Sequence, residues 1–319
     1  MTQQTYLVTG AAGFIGNHLT RLLSSQGHRV VAVDIELHDN AAAQVAALKA
    51  LPGVEYLHAD LTDPAAVAAL PAVDGVYHLA ALNGTQHFYS SPFATLKHST
   101  LPTIFLLEHY AQFPIKFFFY AGSSEAYASM VTKFGWEIPT SEEVPLGITD
   151  SREIRWSYGA SKLHGEVALF AAAAELGVPA VVGRFHNAYG PDMGLHHVIP
   201  DFIERGQKGV FSLYGSTQTR SFIYIDDAVL AVTEVANQAV GRVVNIGSPH
   251  EVSMLELAEV IMSEAGWQGE VEQFDPPANS VERRAPNVAA LRELMSTDDF
   301  VPLREGVRRV LLSLGVISE

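Results

Sequence analysis

Two kinds of apolar pattern alternate along the chain from Thr5 to Ala180: short runs rich in β-branched and aromatic residues, and longer segments with helical spacing. The short runs predict buried strands, and the longer segments predict helices that bury one face. The predicted strands are Tyr6–Thr9, Arg29–Val33, Val54–Ala59, Gly75–Ala80, Lys116–Ala121 and Ala180–Arg184. The predicted helices between them are Phe14–Ser25, Ala41–Ala50, Pro64–Leu70, Pro92–Phe113 and Tyr158–Leu176. This alternation predicts an α/β fold, a doubly wound parallel sheet with helices on both faces.

The alternation ends after Arg184, where loops rich in Gly, Pro and His and short mixed elements follow. We therefore expect residues 1–184 to form one domain. Residues 185–319 are expected to form mainly a small C-terminal α/β lobe, with some chain returning to the first domain. The proline-rich segment Phe274–Pro286 predicts a loop. The short mixed elements predicted in this half are Arg220–Ile225, Asp226–Asn237, Val243–Gly247 and Ser253–Ala265, and the predicted terminal helices are Val288–Met295 and Leu303–Leu314.

Three glycines follow the first predicted strand and open the first predicted helix. Gly10 permits a tight turn, Gly13 lets a phosphate approach the backbone, and Gly16 lets the helix pack on the strand. Backbone N–H groups at a helix start bind phosphate, so this turn, with Phe14 and Ile15, predicts a pyrophosphate site. Taken alone, the glycines also fit a plain turn.

An aspartate, Asp34, ends the second predicted strand. Its carboxylate is placed to accept hydrogen bonds from both hydroxyls of an adenosine ribose. The same charge repels a 2′-phosphate, and neither Lys nor Arg occupies the next three positions, so NAD is predicted as the cofactor rather than NADP. The alternative is an exposed aspartate in a turn. Loops after the third and fourth strands add further candidate cofactor contacts: Asp60, Leu61, Leu79, Ala80 and Ala81.

Tyr158 and Lys162 lie four residues apart near the start of a predicted helix, so they project from the same face. A lysine ammonium and a positively charged nicotinamide both favour phenolate over phenol and predict a lowered tyrosine pKa. Tyr158 is therefore a candidate general base that removes a hydroxyl proton while hydride leaves for NAD. The alternative is a half-buried aromatic residue beside a solvated lysine.

The glycine turn, the aspartate after the second strand, the run Ser123–Glu125 and the Tyr-x-x-x-Lys pair occur in the order that one site requires. Together they resemble the extended short-chain dehydrogenase/reductase family, and within it the NAD-dependent nucleotide-sugar epimerases and dehydratases. The resemblance extends from Thr5 to about Leu314. It implies a Rossmann domain that binds NAD, a small lobe that binds a nucleoside diphosphate sugar, and a reaction between the two.

The resemblance also implies roles for individual residues. Ser123 matches the serine or threonine that hydrogen-bonds the reacting sugar hydroxyl, Tyr158 matches the base, and Lys162 matches the lysine that holds the nicotinamide ribose. Glu125 stands where the family's dehydratases and decarboxylases have glutamate, whereas many C4 epimerases have a small or hydroxyl residue. A carboxylate beside a 4-keto sugar can remove the C5 proton and start loss of the C6 hydroxyl. The alternative is that Glu125 only orients substrate or faces a helix terminus.

Several residues match family positions that bind the nucleotide sugar. Asn187 matches an asparagine that contacts the diphosphate, and Arg220 and Arg284 match two arginines that contact it as well. Guanidinium groups bind phosphate with paired hydrogen bonds, although either arginine also fits an ion pair. Ser124 and Val198, the latter at the start of a predicted helix near the base and sugar, complete the candidate substrate contacts.

Other positions bear on the sugar pocket. Trp156 stands where the family often has proline, and we expect it to reshape the pocket. The run Ser99–Thr103 lacks the family's Asn-x-x-Gly-Thr, which puts in doubt a buried hydrogen bond of the central helix. The run Asn83–Thr85, with Phe88 and Tyr89, follows the fourth strand at the predicted cleft mouth, where loops contact substrate.

Composition narrows the partners and the chemistry. The 319 residues include 20 Lys and Arg against 35 Asp and Glu, a formal charge of −15, which makes nucleic acid and anionic membranes unfavourable partners. Neither a leader-like segment nor a run of about 18 apolar residues is present, so we expect a cytoplasmic protein. The absence of cysteine excludes thiol nucleophiles and thiolate metal sites. His196 and His197 do not predict a metal site, because adjacent side chains point apart.

The leading hypothesis is an NAD-dependent nucleotide-sugar epimerase that oxidises C4 to a 4-keto intermediate and reduces it again. This branch is favoured because the chain is short for a dehydratase of this family. The alternatives are a 4,6-dehydratase or decarboxylase that uses Glu125 as a base, a net dehydrogenase, and a non-catalytic NAD-binding regulator. The resemblance also implies a homodimer, with helices Pro92–Phe113 and Tyr158–Leu176 forming a four-helix interface.

Overall fold

A parallel β-sheet lies at the centre of the protein, which a computed structural model describes for residues 2–37, 41–83, 89–194, 197–276, 281–295 and 299–318. The strands are β1 (Thr5–Thr9), β2 (Arg29–Asp34), β3 (Val54–His58), β4 (Gly75–His78), β5 (Phe118–Ser123), β6 (Ala180–Phe185), β7 (Ala188–Tyr189), β8 (Ser212–Tyr214), β9 (Thr219–Ser221), β10 (Ile223–Tyr224), β11 (Val243–Ile246), β12 (Glu251–Ser253), β13 (Glu272–Phe274) and β14 (Arg283–Arg284). Seven of them form the sheet in the order β11-β6-β5-β4-β1-β2-β3, with parallel neighbours throughout.

Helices connect most of these strands. They are α1 (Phe14–Ser25), α2 (Ala41–Lys49), α3 (Pro64–Ala68), α4 (Pro92–Tyr110), α5 (Ala128–Phe134), α6 (Trp156–Leu176), α7 (Val198–Gln207), α8 (Ile225–Gln238), α9 (Met254–Ala265), α10 (Ala289–Leu294) and α11 (Leu303–Ser313). A short 3-10 turn, Ser124–Tyr127, links β5 to α5. The predicted Rossmann-like α/β fold is confirmed.

The core has two halves, one on each face of the sheet, because successive side chains of a strand point to opposite sides. On β1, Tyr6 belongs to an apolar cluster that includes Leu19 of α1. The next residue, Leu7, belongs to a second cluster that includes Leu106 of α4 and Leu169 of α6. The two clusters therefore fix α4 and α6 on the face opposite α1.

Two element boundaries differ from the predictions at places that matter for function. β5 runs from Phe118 to Ser123, two residues later than predicted, because its pairing with β6 continues to the end of both strands. α6 begins at Trp156 rather than at Tyr158. Ser123 consequently ends a strand, and Tyr158 lies inside the first turn of a helix.

The C-terminal half of the chain contributes to the main sheet and also forms small sheets of its own. β11 pairs in parallel with β6 and becomes the edge strand of the main sheet. β9 pairs with β12 and β14 in a separate three-stranded sheet. The predicted loop Phe274–Pro286 is wrong in part, since β13 ends at Phe274 and Arg283–Arg284 forms β14. Pairing with β9, a partner distant in sequence, makes this short segment a strand.

Candidate active site

The glycine turn lies where β1 ends and α1 begins. Gly10 has a φ of +70°, and a Cβ there would lie 2.9 Å from the backbone nitrogen of Ala80. A Cβ on Gly16 would lie 2.1 Å from the carbonyl oxygen of Gly10. Gly13 precedes Phe14 as the N-cap of α1 and places no side chain over the helix start. The turn therefore has the close packing and open helix N-terminus that the predicted pyrophosphate site requires.

The carboxylate of Asp34 is fixed beside this turn by the backbone. One oxygen accepts a hydrogen bond from the N–H of Ala12 at 2.9 Å, and the other accepts one from the N–H of Glu36 at 2.8 Å. Glu36 adds a second carboxylate, which accepts hydrogen bonds from the hydroxyl of Tyr56 at 2.9 Å and from His58 at 3.0 Å. Two acidic groups at this point oppose a 2′-phosphate, as the preference for NAD requires.

The loops after β3 and β4 lie at the same edge of the sheet. Asp60 accepts a hydrogen bond from the N–H of Thr62 at 2.9 Å, and Leu61 is buried in the apolar core. The remaining predicted cofactor contacts, which follow β4 directly, are Leu79, Ala80 and Ala81. Carboxyl ends of parallel strands form the crevice in which such sheets bind ligands.

The side chains of Ser123 and Tyr158 meet at the end of β5. A hydrogen bond joins their hydroxyls, and the Ser123 oxygen also accepts a hydrogen bond from the N–H of Glu125 at 3.2 Å. Gly159, the residue after Tyr158, allows this approach, since a Cβ there would lie 2.8 Å from the carbonyl oxygen of Glu125. One turn further along α6, the ammonium of Lys162 donates to the carbonyl oxygen of Ala121 at 2.8 Å.

The pKa of Tyr158 is set by its burial and by the groups around it. Burial raises it, and the charge of Glu125 raises it further, whereas the hydrogen bond with Ser123 lowers it. Burial also lowers the pKa of Lys162 to about 8, although the Glu166 carboxylate opposes that shift. Burial thus sets the pKa of Tyr158 in the protein without cofactor, and the lowering expected from the ammonium together with the nicotinamide stays a prediction.

Glu125, two residues after Ser123, lies between the side chains of Arg155 and Arg284. Its carboxylate is 2.8 Å from a guanidinium nitrogen of Arg284 and 3.6 Å from one of Arg155. Burial raises the pKa of Glu125, but Arg284 and Arg155 outweigh burial and hold it below its ordinary value. The carboxylate is therefore ionised at neutral pH, and as a proton acceptor it is weak.

Two candidate substrate residues, Arg220 and Asn187, are held by backbone carbonyl groups. Arg220 donates to the carbonyl oxygen of Val281 at 2.6 Å, and burial, with the nearby Arg284, lowers its pKa to about 10. The amide of Asn187 donates to the carbonyl oxygen of Ser221 at 2.9 Å. Arg220 and Arg284 are paired in the register of β9 and β14, so both project from one face of that sheet. Two further candidates differ in exposure: Ser124 is buried in the 3-10 turn, and Val198 is partly exposed at the start of α7.

Both departures from the family pattern have local consequences. The ring nitrogen of Trp156 donates to Glu153 at 2.8 Å, and the guanidinium of Arg155 lies 4.3 Å from the centre of the Trp156 ring. The hydroxyl of Ser99 is buried and makes no hydrogen bond with the described residues. Ser99 therefore lacks the buried hydrogen bond that was in doubt.

The predicted cleft mouth belongs only in part to the described residues. Gly84, Thr85 and Phe88 lie outside the described residues, as does His196, whereas Tyr89 is described and exposed. Among the described side chains, no group of three or more His, Asp or Glu is arranged to hold a metal ion. None of the described helices is long and apolar enough to cross a membrane.

Arg155, Glu166 and Arg184 also lie in or beside the site and were not predicted from the sequence. Arg155 comes three residues before Tyr158, so proximity to the Tyr-x-x-x-Lys pair was the available signal. Glu166 lies four residues after Lys162 and so occupies the same helix face, which also could have singled it out. Arg184 carried no such signal, because its partners are distant in sequence.

Hydride chemistry on an alcohol requires a dinucleotide site beside a group that accepts the hydroxyl proton and a second group that orients it. The parallel sheet, with the glycine turn and Asp34 at its carboxyl edge, defines a Rossmann-like α/β protein. More specifically, the chain belongs to the NAD dependent epimerase/dehydratase family, which its residues 6–247 match. NAD is accordingly its cofactor.

Similar proteins span more than one reaction of this family. UDP-glucuronic acid decarboxylase 1 of Xenopus tropicalis is 29% identical over 309 residues, which cover 96% of this chain and 70% of that protein. An "Uncharacterized UDP-glucose epimerase" of Bacillus subtilis (strain 168) is 28% identical over 329 residues and covers 98% of each chain. A crystal structure of a UDP-galactose 4-epimerase is 26% identical, with a TM-score of 0.80 and 98% of each chain covered. The chain thus belongs among NAD-dependent epimerases, dehydratases and decarboxylases of nucleotide sugars.

Proposed function

We propose that the protein is an NAD-dependent nucleotide-sugar 4-epimerase. The observation that carries this proposal is the hydrogen bond between the hydroxyls of Ser123 and Tyr158, with Lys162 on the next turn of the same helix. It brings a proton acceptor and an orienting hydroxyl to the sheet edge where the glycine turn lies. Similarity to a UDP-galactose 4-epimerase along nearly the whole chain supports the same reaction.

In this reaction the chain's own residues bind the sugar and move one proton. Ser123 holds the C4 hydroxyl, and Tyr158 accepts its proton at the phenolic oxygen as hydride leaves C4. NAD, when bound, takes up and returns that hydride, and its positive ring favours the phenolate. The 4-keto sugar presents its other face before reduction, and Tyr158 then returns the proton to O4. The net change is inversion at C4 with the cofactor unchanged.

The charges of the cleft fit a diphosphate substrate. The guanidinium groups of Arg155, Arg220 and Arg284 lie near the carboxylate of Glu125, and Arg220 lies near that of Glu251 as well. This local excess of positive charge contrasts with the formal charge of −15 for the chain. Two of these arginines project from one small sheet, so paired recognition of a diphosphate by Arg220 and Arg284, with Asn187 beside them, is the binding mode we propose.

A uronic-acid decarboxylase is the second candidate, because Glu125 stands where the resemblance places a glutamate in the family's dehydratases and decarboxylases. In that reaction, loss of hydride from C4 to the bound cofactor would let the C6 carboxylate leave as carbon dioxide; the electron pair left on C5 would take up a proton from water, and return of the hydride to C4 would restore the cofactor. The 29% identity with a UDP-glucuronic acid decarboxylase supports this alternative. The dehydratase branch has less support, because it needs Glu125 to remove a C5 proton and the two arginines weaken that base.

Product masses decide among these reactions. The NAD-loaded protein is incubated with UDP-glucose, UDP-galactose, UDP-glucuronic acid, GDP-mannose and dTDP-glucose, and products are separated and weighed. Epimerisation gives a new chromatographic peak at unchanged mass, whereas loss of carbon dioxide or water lowers the mass and a net dehydrogenase accumulates NADH. A mass loss with every active substrate would contradict the epimerase proposal.

Glu125→Gln provides a prediction specific to the epimerase. We expect kcat to fall by less than about tenfold, because no proton transfer of the epimerase depends on this carboxylate, whereas loss of a general base costs about 10²-fold or more. Steady-state kinetics with the active substrate measure the change. A fall beyond about 10²-fold would assign proton transfer to Glu125 and move the proposal to the alternative branch.

We also propose a homodimer formed through α4 and α6. The two helices pack together on one face of the sheet, and their outward side chains include Phe93 at 79% exposure and Val167 at 59%. The small residues of α6 are only partly available, since Ala172 is 8% exposed and packs toward the sheet in its own chain. The exposed apolar side chains fit a second copy of the same surface.

Val167→Glu tests the dimer. In a two-fold dimer both copies use the same surface, so the substitution would bury two unpaired charges, which is unfavourable. We therefore expect the variant to elute as a monomer while the wild type elutes as a dimer. Light scattering after size-exclusion chromatography gives the masses. Val210→Glu, at another exposed valine away from these helices, is the control and should remain dimeric. A dimeric Val167→Glu protein would exclude this surface.

A further inference from the structure

Arg184 lies at the end of β6, buried beneath the site, and its guanidinium has partners in two directions. Its Nε and Nη2 donate to the carboxylate of Glu166 at 3.0 and 2.9 Å. Its Nη1 donates to the backbone carbonyl oxygen of Glu142 at 2.8 Å. The side chains of Arg184 and Glu166 are each only 4% exposed. One cation thus joins two segments that are far apart in sequence.

The first partner, Glu166, lies on the helix that carries Tyr158 and Lys162, which we call the cofactor half of the site. Glu166 lies on α6 one turn after Lys162, and both side chains are buried. Gly122 of β5 gives the ion pair room, because a Cβ there would lie 3.0 Å from a carboxylate oxygen of Glu166 and 3.2 Å from Cγ of Arg184. The pair therefore fixes the rotation of α6 against the strand that ends in Ser123.

The second partner, the carbonyl of Glu142, belongs to a segment that contacts the chain beside Arg284, which we call the substrate half of the site. The segment held at Glu142 pairs at Thr140 with the chain just after β14. The N–H of Thr140 donates to the carbonyl oxygen of Ala285 at 2.9 Å, and its own carbonyl accepts a hydrogen bond from the N–H of Asn287 at 2.8 Å. Arg284 immediately precedes Ala285. The Glu142 carbonyl is thus connected to Arg284 through the backbone of Ser141 and Thr140 and the hydrogen bond from Thr140 to Ala285.

We propose that Arg184 is a positioning residue that couples the cofactor half of the site to its substrate half. It holds α6, with Tyr158 and Lys162, at a fixed separation from the segment that places Arg284. The planar fork of arginine can satisfy a carboxylate and a carbonyl at once, which the single ammonium of lysine does less well. The substrate part of this inference rests on the proposed function, in which Arg284 binds the diphosphate.

A purely structural ion pair would behave differently. Such a pair contributes to the stability of the whole fold, so its loss would weaken both ligand sites to the same degree whatever else is mutated. A positioning residue acts through a particular partner. Its effect on a ligand then disappears when that partner is removed, a non-additivity that double-mutant cycles measure.

Arg184→Lys is the variant of choice, because it keeps the buried positive charge. The first cycle combines it with Arg284→Gln and measures the affinity of the NAD-loaded protein for UDP, GDP or dTDP, whichever the wild type binds most tightly. We expect Arg184→Lys alone to weaken binding about five- to tenfold and to have no further effect beside Arg284→Gln. The second cycle combines it with Lys162→Met and measures NAD affinity, with the same pattern expected.

Leu169→Ala is the matched control. It removes a fully buried side chain from the same helix without touching the ion pair, so it lowers thermal stability but should leave both affinities unchanged. If Arg184→Lys does not fold, Glu166→Gln replaces it in both cycles, because it weakens the contact with α6 and leaves the bond to Glu142 in place.

The outcomes separate this inference from the proposed function. Additive losses in either cycle, unchanged affinities in the Arg184→Lys protein, or equal losses in the Leu169→Ala protein would each overturn the coupling. Failure of the wild type to bind any of the three diphosphates would overturn the proposed function together with the substrate half of the coupling. Normal diphosphate binding with additive losses would overturn the coupling alone.

Discussion

Replacing Tyr158 with phenylalanine is expected to lower kcat by about 10²- to 10⁴-fold while the protein still binds NAD. The hydroxyl is the group that accepts the sugar proton, and it is held by Ser123 at the end of β5. The ring itself is buried and packs in the same place without its hydroxyl, so the cofactor site keeps its shape. Steady-state kinetics with the active nucleotide sugar, together with NAD titration, measure both effects.

Tyr127→Phe is the matched control for this substitution. Tyr127 is also buried, lies on the neighbouring 3-10 turn, and shares a hydrogen bond of 3.0 Å with His186. Its hydroxyl does not contact Ser123 in this arrangement, so its loss should change kcat by less than about tenfold, below the effect of losing a general base. Full activity of the Tyr158→Phe protein would show that another group accepts the proton. Loss of NAD binding in it would point to misfolding instead.

The second large effect is expected from alanine at Gly16, which should lose stability and NAD affinity, compared with alanine at Gly13, which should lose NAD affinity alone. A Cβ at Gly16 would lie 2.1 Å from the carbonyl oxygen of Gly10 and 2.9 Å from Cα of Ala11, all of it backbone that cannot move aside. We expect Gly16→Ala to destabilise the fold by about 1–3 kcal/mol, as overpacking does. It should lose NAD affinity as well, because the turn must open.

Gly13→Ala serves as the comparison. A Cβ at Gly13 meets only the carbonyl oxygen of Gly10, at 3.2 Å, so the fold should tolerate it with little loss of stability. The new methyl group would stand at the helix start where the pyrophosphate approaches, and we expect at least about a tenfold loss of NAD affinity, equal to about 1.4 kcal/mol. Thermal unfolding and NAD titration distinguish the two variants. Equal NAD affinity in Gly13→Ala and the wild type would exclude the assigned cofactor position.

The sequence was sufficient for features that depend on short stretches of chain. Apolar periodicity predicted the order of strands and helices, and α1 begins and ends at the predicted residues, because its amphipathic face is encoded locally. The proximity of Asp34 to the glycine turn follows from the topology of parallel strands, whose carboxyl ends meet at one edge. Spacing alone similarly placed Tyr158 and Lys162 on one face of a helix.

Features that depend on contacts between distant residues were beyond sequence reasoning. β14 is a strand only because β9 lies beside it, so a proline-rich segment gave no local signal. Glu125 was predicted as a possible base, but Arg284, which is 159 positions further along, changes its chemistry. The pKa of Tyr158 also depends on how deeply the fold buries it. Burial and long-range charge are properties of the assembled chain and not of any one motif.

The edge strand β11 has a consequence for how the protein is made. This strand, Val243–Ile246, completes the sheet beside β6, although most of the sheet comes from the first 185 residues. During synthesis the outer edge of β6 stays unpaired until the ribosome has passed Ile246, and bare strand edges invite wrong partners. The sheet is therefore completed only after this late segment has been synthesised, and until then β6 has a single neighbour, β5.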